Sequence, residues 1–236
     1  MTHRHARHGL TLLVIAATPL LSADKPVQPS GQVSSTELVN FAPGGTIRFN
    51  DSFGDLYVEG WDQPQVEMTL IKSLQNNYDP PKDAAERLER VKFTSEHPTP
   101  NELAIGTTIP SHGFFRHPFG GKGDVTVRYE LRVPRDSHLI IHHGGGNILI
   151  GNVTGAIEAT DREGDIVLML PTPGPYSIDA RSKMGTVASD FAGQGHVRHM
   201  VGKSFVGADA NSPRKIFLRV GFGGITIKEV PREALP

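Results

Sequence analysis

Five times in this chain a glycine is followed by a small or polar residue and then by alternating apolar positions. The copies are Gly54-Asp55-Leu56, Gly146-Asn147-Ile148, Gly164-Asp165-Ile166, Gly185-Thr186-Val187 and Gly223-Gly224-Ile225. The last four glycines are 18, 21 and 38 residues apart, and 38 is close to two units of 19. A period near twenty is the signature of a chain that stacks one small unit on the next. A unit of strand, corner and strand must bend at the same place on every revolution. Glycine accepts positive φ there without a Cβ penalty, and Asn or Asp tolerates it better than other residues. The apolar positions after each corner then stack over their counterparts about 4.8 Å away. Gly202-Lys203-Ser204-Phe205 is a degenerate candidate for the missing member of the series. Residues 138–230 have room for roughly four or five such windings, near the minimum for a stable stack. The expected fold is all-β, a β-solenoid with one short helix, and the alternative is a β-sandwich.

The rest of the chain agrees with an all-β reading. "GTIRFN", "GDLYVEGW", "QVEMTLIKS", "ELAIGTTI" and "VTVRYELRVP" alternate apolar and polar residues with the period of a half-buried strand. Twenty-six Gly and eighteen Pro exceed what an α-rich globule carries. Residues 79–91, "DPPKDAAERLERV", differ: Ala84, Ala85, Leu88 and Val91 fall three or four apart behind two prolines, which predicts the helix. Residues 106–124 lose all periodicity and form a long loop.

The N-terminus reads as an export signal. Arg4 and Arg7 precede an apolar run from Leu10 to Leu21, followed by Leu21-Ser22-Ala23 as a cleavage site. Twelve residues are too few to span a bilayer. We divide the chain into a signal peptide (1–23), a disordered lead-in (24–39) and one domain (40–236) carrying the 106–124 loop. Export makes the absence of cysteine informative: neither disulfides nor acylation at a leader cysteine is available, so packing must supply the stability. The expected location is periplasmic or extracellular, with no membrane span after cleavage. The near-neutral balance of 24 Lys and Arg against 25 Asp and Glu gives no overall nucleic-acid footprint.

"SFGDLYVEGWDQPQVEMTLIK", "AAERLERV", "GGNILIGNVTGAIEATDREGDIVL" and "GFGGITIKEV" together resemble the bacterial "putative adhesin" domain family, β-solenoid modules of the auto-transporter adhesin head (GIN) type. The resemblance covers most of residues 40–230. It implies an extracytoplasmic, right-handed repeat fold, a function not established in molecular terms, and no catalytic residues or cofactor.

Several motifs invite sharper readings. His143-Gly144-Gly145-Gly146 has the spelling of a hydrolase oxyanion loop, but no G-x-S-x-G elbow or alternating helices follow, so it reads as a corner. Gly202-Lys203-Ser204 lacks the earlier glycine of a phosphate loop, since residue 197 is Val. His142-His143 and His196-x-x-His199 could meet at a metal, yet strand neighbours point to opposite faces. Asp161, Arg162, Glu163, Asp179, Arg181 and Asp209 could line a groove of the kind used by carbohydrate-active β-helix lyases or glycoside hydrolases, which is the enzymatic alternative. Such residues beside corner glycines are more commonly a solvated face. The loop supplies the candidate partner-binding residues Phe114, Phe115, Arg116 and Phe119, aromatic anchors with a basic rim, or else a plug over open strand edges. Trp61 reads as a packed strand residue. The sequence therefore predicts an exported, non-enzymatic binding or scaffolding module of the cell envelope. It has no cofactor or metal, and its partner is an envelope protein or a glycan.

Overall fold

The computed structural model describes residues 32–51, 53–74, 88–89, 91–108, 125–172, 174–198, 201–207, 209 and 211–231. Among these lie seventeen strands: β1 (Gln32–Asn40), β2 (Thr46–Asn50), β3 (Asp55–Trp61), β4 (Gln65–Leu74), β5 (Lys92–Thr99), β6 (Glu102–Thr108), β7 (Val125–Pro134), β8 (His138–His143), β9 (Ile148–Gly151), β10 (Ile157–Glu163), β11 (Ile166–Thr172), β12 (Ser177–Met184), β13 (Val187–Ser189), β14 (Gly193–Arg198), β15 (Gly202–Gly207), β16 (Lys215–Phe222) and β17 (Ile225–Pro231). Alternation decides which side of each strand is covered. In β3, Leu56, Val58 and Gly60 face inward while Asp55, Tyr57, Glu59 and Trp61 face outward.

The strands form two mixed sheets. The first has eight, in the order β1-β4-β7-β3-β9-β11-β17-β13, and the second has nine, in the order β14-β15-β12-β16-β10-β8-β2-β6-β5. Pairing is parallel through the middle of both, for example β8–β10–β16 in the second sheet and β9–β11–β17 in the first. Antiparallel strands β1, β4, β5, β14 and β15 extend the ends. One hydrophobic core of aliphatic side chains from both sheets fills the interior, with Phe49 and Tyr129 in edge-to-face contact at 5.2 Å.

Six strand pairs cross from the second sheet to the first: β2/β3, β6/β7, β8/β9, β10/β11, β12/β13 and β16/β17. Their spatial order is β6/β7, β2/β3, β8/β9, β10/β11, β16/β17, β12/β13. The chain therefore does not lay its windings down in sequence order, and the two facing sheets equally meet the description of a β-sandwich with a parallel interior. The last two pairs are exchanged, which accounts for the 38-residue spacing. The segment between them is not a degenerate winding. It is the antiparallel hairpin β14–β15, and Gly202 opens a strand instead of turning a corner. Period-two alternation is common to both pairings, so the pattern alone cannot separate them.

One further expectation changes. Residues 32–39 of the stretch read as a disordered lead-in form β1 together with Asn40, because continuous antiparallel pairing with β4 satisfies their backbone. Of the helix expected at 79–91, residues 79–87 and 90 lie outside the described residues, Leu88 and Glu89 are helical, and Leu88 is buried in the core. The leader (1–23), Phe114, Phe115, Arg116, Phe119 and His199 lie outside the described residues. Among the described residues no helix is long and apolar enough to cross a membrane.

The corner glycines are stacked. Gly54, Gly146, Gly164, Gly223 and Gly185 all have φ between 126° and 149°. A Cβ on Gly164 would run into the carbonyl oxygen of Gly146, and one on Gly146 into that of Gly54. Gly223 and Gly185 continue the contact series in the same spatial order. Both the dihedral and the close approach exclude a side chain. The polar residue after each corner has its own task. Asp55 Oδ1 accepts the amide of Asn147 at 3.0 Å, Asn147 Oδ1 accepts that of Asp165 at 3.3 Å, and Asp165 Oδ1 accepts that of Gly224 at 2.6 Å. Each side chain thus caps the next winding.

Candidate functional site

The stacked corners align the residues that precede them. Three positions before Gly54, Gly146, Gly164, Gly223 and Gly185 stand Asp51, His143, Asp161, Val220 and Ser182. The pairings Asn50 with His142 and His143 with Asp161 set the first three side by side on adjacent strands. All three point into the protein. His143 Nδ1 lies 2.5 Å from Asp51 Oδ1, with no exposure of either side chain, and Asp161 is 1% exposed. Asp161 Oδ1 accepts the amide of Glu163 at 3.2 Å. Asp51 Oδ2, Asp161 Oδ2 and His143 Nε2 have no hydrogen-bond partner.

Protonation follows from this packing. Burial pushes the Asp51 carboxyl up, more than the hydrogen bond and charge of His143 lower it. Burial likewise raises Asp161 against the pull of His143. For His143, burial alone would lower the imidazole pKa. The Asp51 hydrogen bond and the charges of Asp51 and Asp161, helped by the nearby Gly54 carbonyl, outweigh it and raise the pKa. Tyr129 flanks the cluster on the Asp51 side, and its hydroxyl is pushed up, mainly by burial. All four groups favour the proton-bound form. The cluster can hold protons, but it is sealed from any substrate. Among the described residues no three His, Asp or Glu side chains are placed to hold a metal ion.

The HGGG spelling falls here, and its backbone is already engaged. The Gly146 amide donates to Glu163 O at 2.9 Å, and the Gly145 carbonyl accepts from Gly54 at 2.9 Å. That amide is not free to hold an oxyanion. Asp161 faces the interior, not a groove, while Asp209 caps a turn through the amide of Asn211 at 3.1 Å. Trp61 is half-buried, donating from Nε1 to Gln65 O at 2.8 Å with Arg132 5.9 Å from its ring centre.

The second sheet presents an open outer face. Register sets His142 (β8), Thr160 (β10), Arg219 (β16), Arg181 (β12), Ser204 (β15) and His196 (β14) in one row across six adjacent strands, with Ser204 buried within it. Arg181 and Arg219 stand directly opposite each other, an arrangement that like charges disfavour. Asp179 serves both. Its two oxygens take Arg181 Nε and Nη2 at 3.1 Å, and Oδ2 also takes Arg219 Nη2 at 2.8 Å. Burial would raise the Asp179 carboxyl, but the two guanidiniums prevail and hold it below its ordinary range. Arg219 also lies 3.6 Å from the ring centre of Phe217, which is 38% exposed. Beside the row is a shallow depression of about 360 Å³, floored by Ala156 between His138 and Lys215 and bordered by Glu158 and Phe217. The sequence hinted at this face only through scattered charges. The row depends on which strands are neighbours.

These features define an all-β protein of two facing mixed sheets joined through glycine corners. No family model and no curated protein sequence matches the chain. Solved structures similar to it include a "putative cell adhesion protein" from Clostridium sporogenes, 13% identical, with a TM-score of 0.47 over 84% of this chain and 100% of that one. A "putative adhesin" from Bacteroides fragilis is 10% identical, with a TM-score of 0.24 over 84% and 97% of the two chains. A "putative lipid binding protein" from Parabacteroides distasonis is 12% identical, with a TM-score of 0.25 over 66% and 63%. Likeness at this level transfers neither an activity nor a partner.

Proposed function

We propose that this protein is an exported, non-enzymatic binding or scaffolding module of the bacterial envelope, built as a short β-solenoid-like stack. The observation that carries this reading is the division of its ionisable groups. The cluster with the proton chemistry for acid–base work, Asp51–His143–Asp161, is sealed inside the corner column. The polar side chains that meet solvent are arrayed in straight rows on broad sheet faces. A rigid, stacked sheet face suits adhesion to an extended partner better than turnover of a small one. Export is supported by the leader-like residues 1–23.

The test has two arms. Cell fractionation of the tagged chain should recover it outside the cytoplasm, shortened by the leader. Glycan-array and envelope pull-down screens of the folded protein should return a saturable ligand. Cytoplasmic retention at full length, or turnover of a polysaccharide lost on substituting one surface carboxylate, would overturn the reading.

A further inference from the structure

We propose that the outer face of the second sheet binds an acidic polysaccharide, laid along the row His142–Thr160–Arg219–Arg181–Ser204–His196. This deepens the binding role proposed above and rests on it. Three observations carry the inference.

First, the five side chains of the row that reach solvent, His142, Thr160, Arg219, Arg181 and His196, can each donate a hydrogen bond, Ser204 between the last two being buried, and none is a carboxylate. Second, the charge is unbalanced on this part of the molecule. The six strands of the row, β8, β10, β12, β14, β15 and β16, hold seven Lys and Arg against four acids, of which Asp161 is buried inside, whereas β1 to β7 hold five against seven. Third, the Arg181–Arg219 pair is prearranged. A single carboxylate holds two guanidiniums in place and neutralises one of them, leaving a fixed excess positive charge beside solvent. Arg181 directs Nε and Nη2 at Asp179, so Nη1 remains to meet a second anion. Two arginines facing each other across strands cost stability, and an anion arriving between them would relieve that cost.

The shape of the face selects the class of ligand. Six strands at about 4.8 Å spacing make a straight row roughly 24 Å long, which suits a linear polymer with regularly spaced acidic groups. The exposed aromatic rings described on this sheet, Phe217 and Phe222, lie on the single strand β16, and Phe217 is covered on one side by Arg219, so no run of rings crosses the strands to stack successive unpaired nucleic-acid bases. The depression over Ala156, between His138 and Lys215, lies where a carboxylate or branch beside the row would sit.

Polygalacturonate, neutral dextran, single-stranded DNA and anionic phospholipid vesicles are to be compared for binding to the full chain by light interferometry. Polygalacturonate should bind saturably and weaken steeply between 50 and 300 mM salt, as exposed charges become screened. Arg181→Ala should weaken it roughly tenfold or more. Lys228→Ala, on the first sheet, should change it less than about twofold. Urea midpoints establish that each variant is folded, and His196→Ala at the far end of the row serves if Arg181→Ala is not. Binding of neutral dextran alone would overturn the acidic-ligand assignment and leave the broader binding role standing. DNA or vesicles binding as tightly, with the same sensitivity to Arg181, would overturn the polysaccharide assignment. Failure of all four probes, combined with an empty glycan array, would remove the inference together with the reading beneath it.

Discussion

Replacing His143 by alanine should destabilise the protein severely, and by an amount that grows between pH 4 and pH 6. The substitution leaves Asp51 and Asp161 buried without their shared cation, while Asp51 Oδ1 loses its 2.5 Å partner. Removing one partner of a buried ion pair costs about 3–5 kcal/mol, a large part of the roughly 5–15 kcal/mol that holds a domain folded. With a urea m-value near 2–3 kcal/mol/M, the midpoint should fall by about 1–2 M.

The pH dependence has a fixed sign. Asp51, Asp161 and His143 all have pKa values raised by folding. The native state therefore binds more protons than the unfolded chain, and stability drops as pH rises. The His143 contribution is complete below its ordinary 6.5 and is lost as pH climbs through the raised value. The two carboxyls contribute fully below 3.8 and lose their contribution above it. Without the imidazole their folded values should rise further, so the deficit of the variant should widen from pH 4 to pH 6; above 6.5 the parent protein loses its own His143 contribution, which works against further widening. Lys72 works in the opposite sense, because burial lowers its pKa, but it is common to both proteins and cancels in the difference. Urea titrations followed by far-UV circular dichroism at pH 4, 6 and 8 measure all of this. A loss below about 1 kcal/mol, or one equal at pH 4 and pH 6, would refute the reasoning.

Three other outcomes are expected. Gly164→Ala should cost about 3 kcal/mol or more, since it adds left-handed strain to a collision with the Gly146 carbonyl, whereas Gly195→Ala, with no atom nearer than 3.9 Å, should shift the thermal midpoint by little. Asp165→Ala removes the acceptor for Gly224 and should cost about 1 kcal/mol by urea titration. Asn152→Leu should cost about 2–4 kcal/mol by the same assay. Residue 152 has φ 57°, and its amide both donates to Gly60 O at 3.0 Å and receives Arg135.

The corners were legible because two physical demands, positive φ and close backbone approach, converge on one residue type. The all-β class was legible because alternation at period two is a strong signal over residues 46–74 and 125–170. Strand order was not, because alternation specifies a buried face and not a neighbour. That is why Gly202–Gly207 could pass for a winding. The Asp51–His143–Asp161 cluster was hidden for a related reason. His142-His143 drew attention as adjacent histidines, although they face opposite sides: His142 is exposed and bonds Asn50 Oδ1 at 3.0 Å, while His143 is buried. A signal did exist. Aligning the chain on its corner glycines puts Asp51, His143 and Asp161 in one column. The Arg181–Arg219 pair left no such trace, since 38 residues and an exchanged pair of windings separate its members.

The position of β16 and β17 also governs how this protein can be made. β13 pairs only with β17, and β12 joins the body of its sheet only through β16. Residues 177–207 consequently have no docking surface until residues 215–231 have been synthesised and slotted in ahead of them. A ribosome releasing this chain from its N-terminus therefore leaves residues 177–207 without their neighbours until the last strands emerge, whereas β1 to β11 can already pair among themselves.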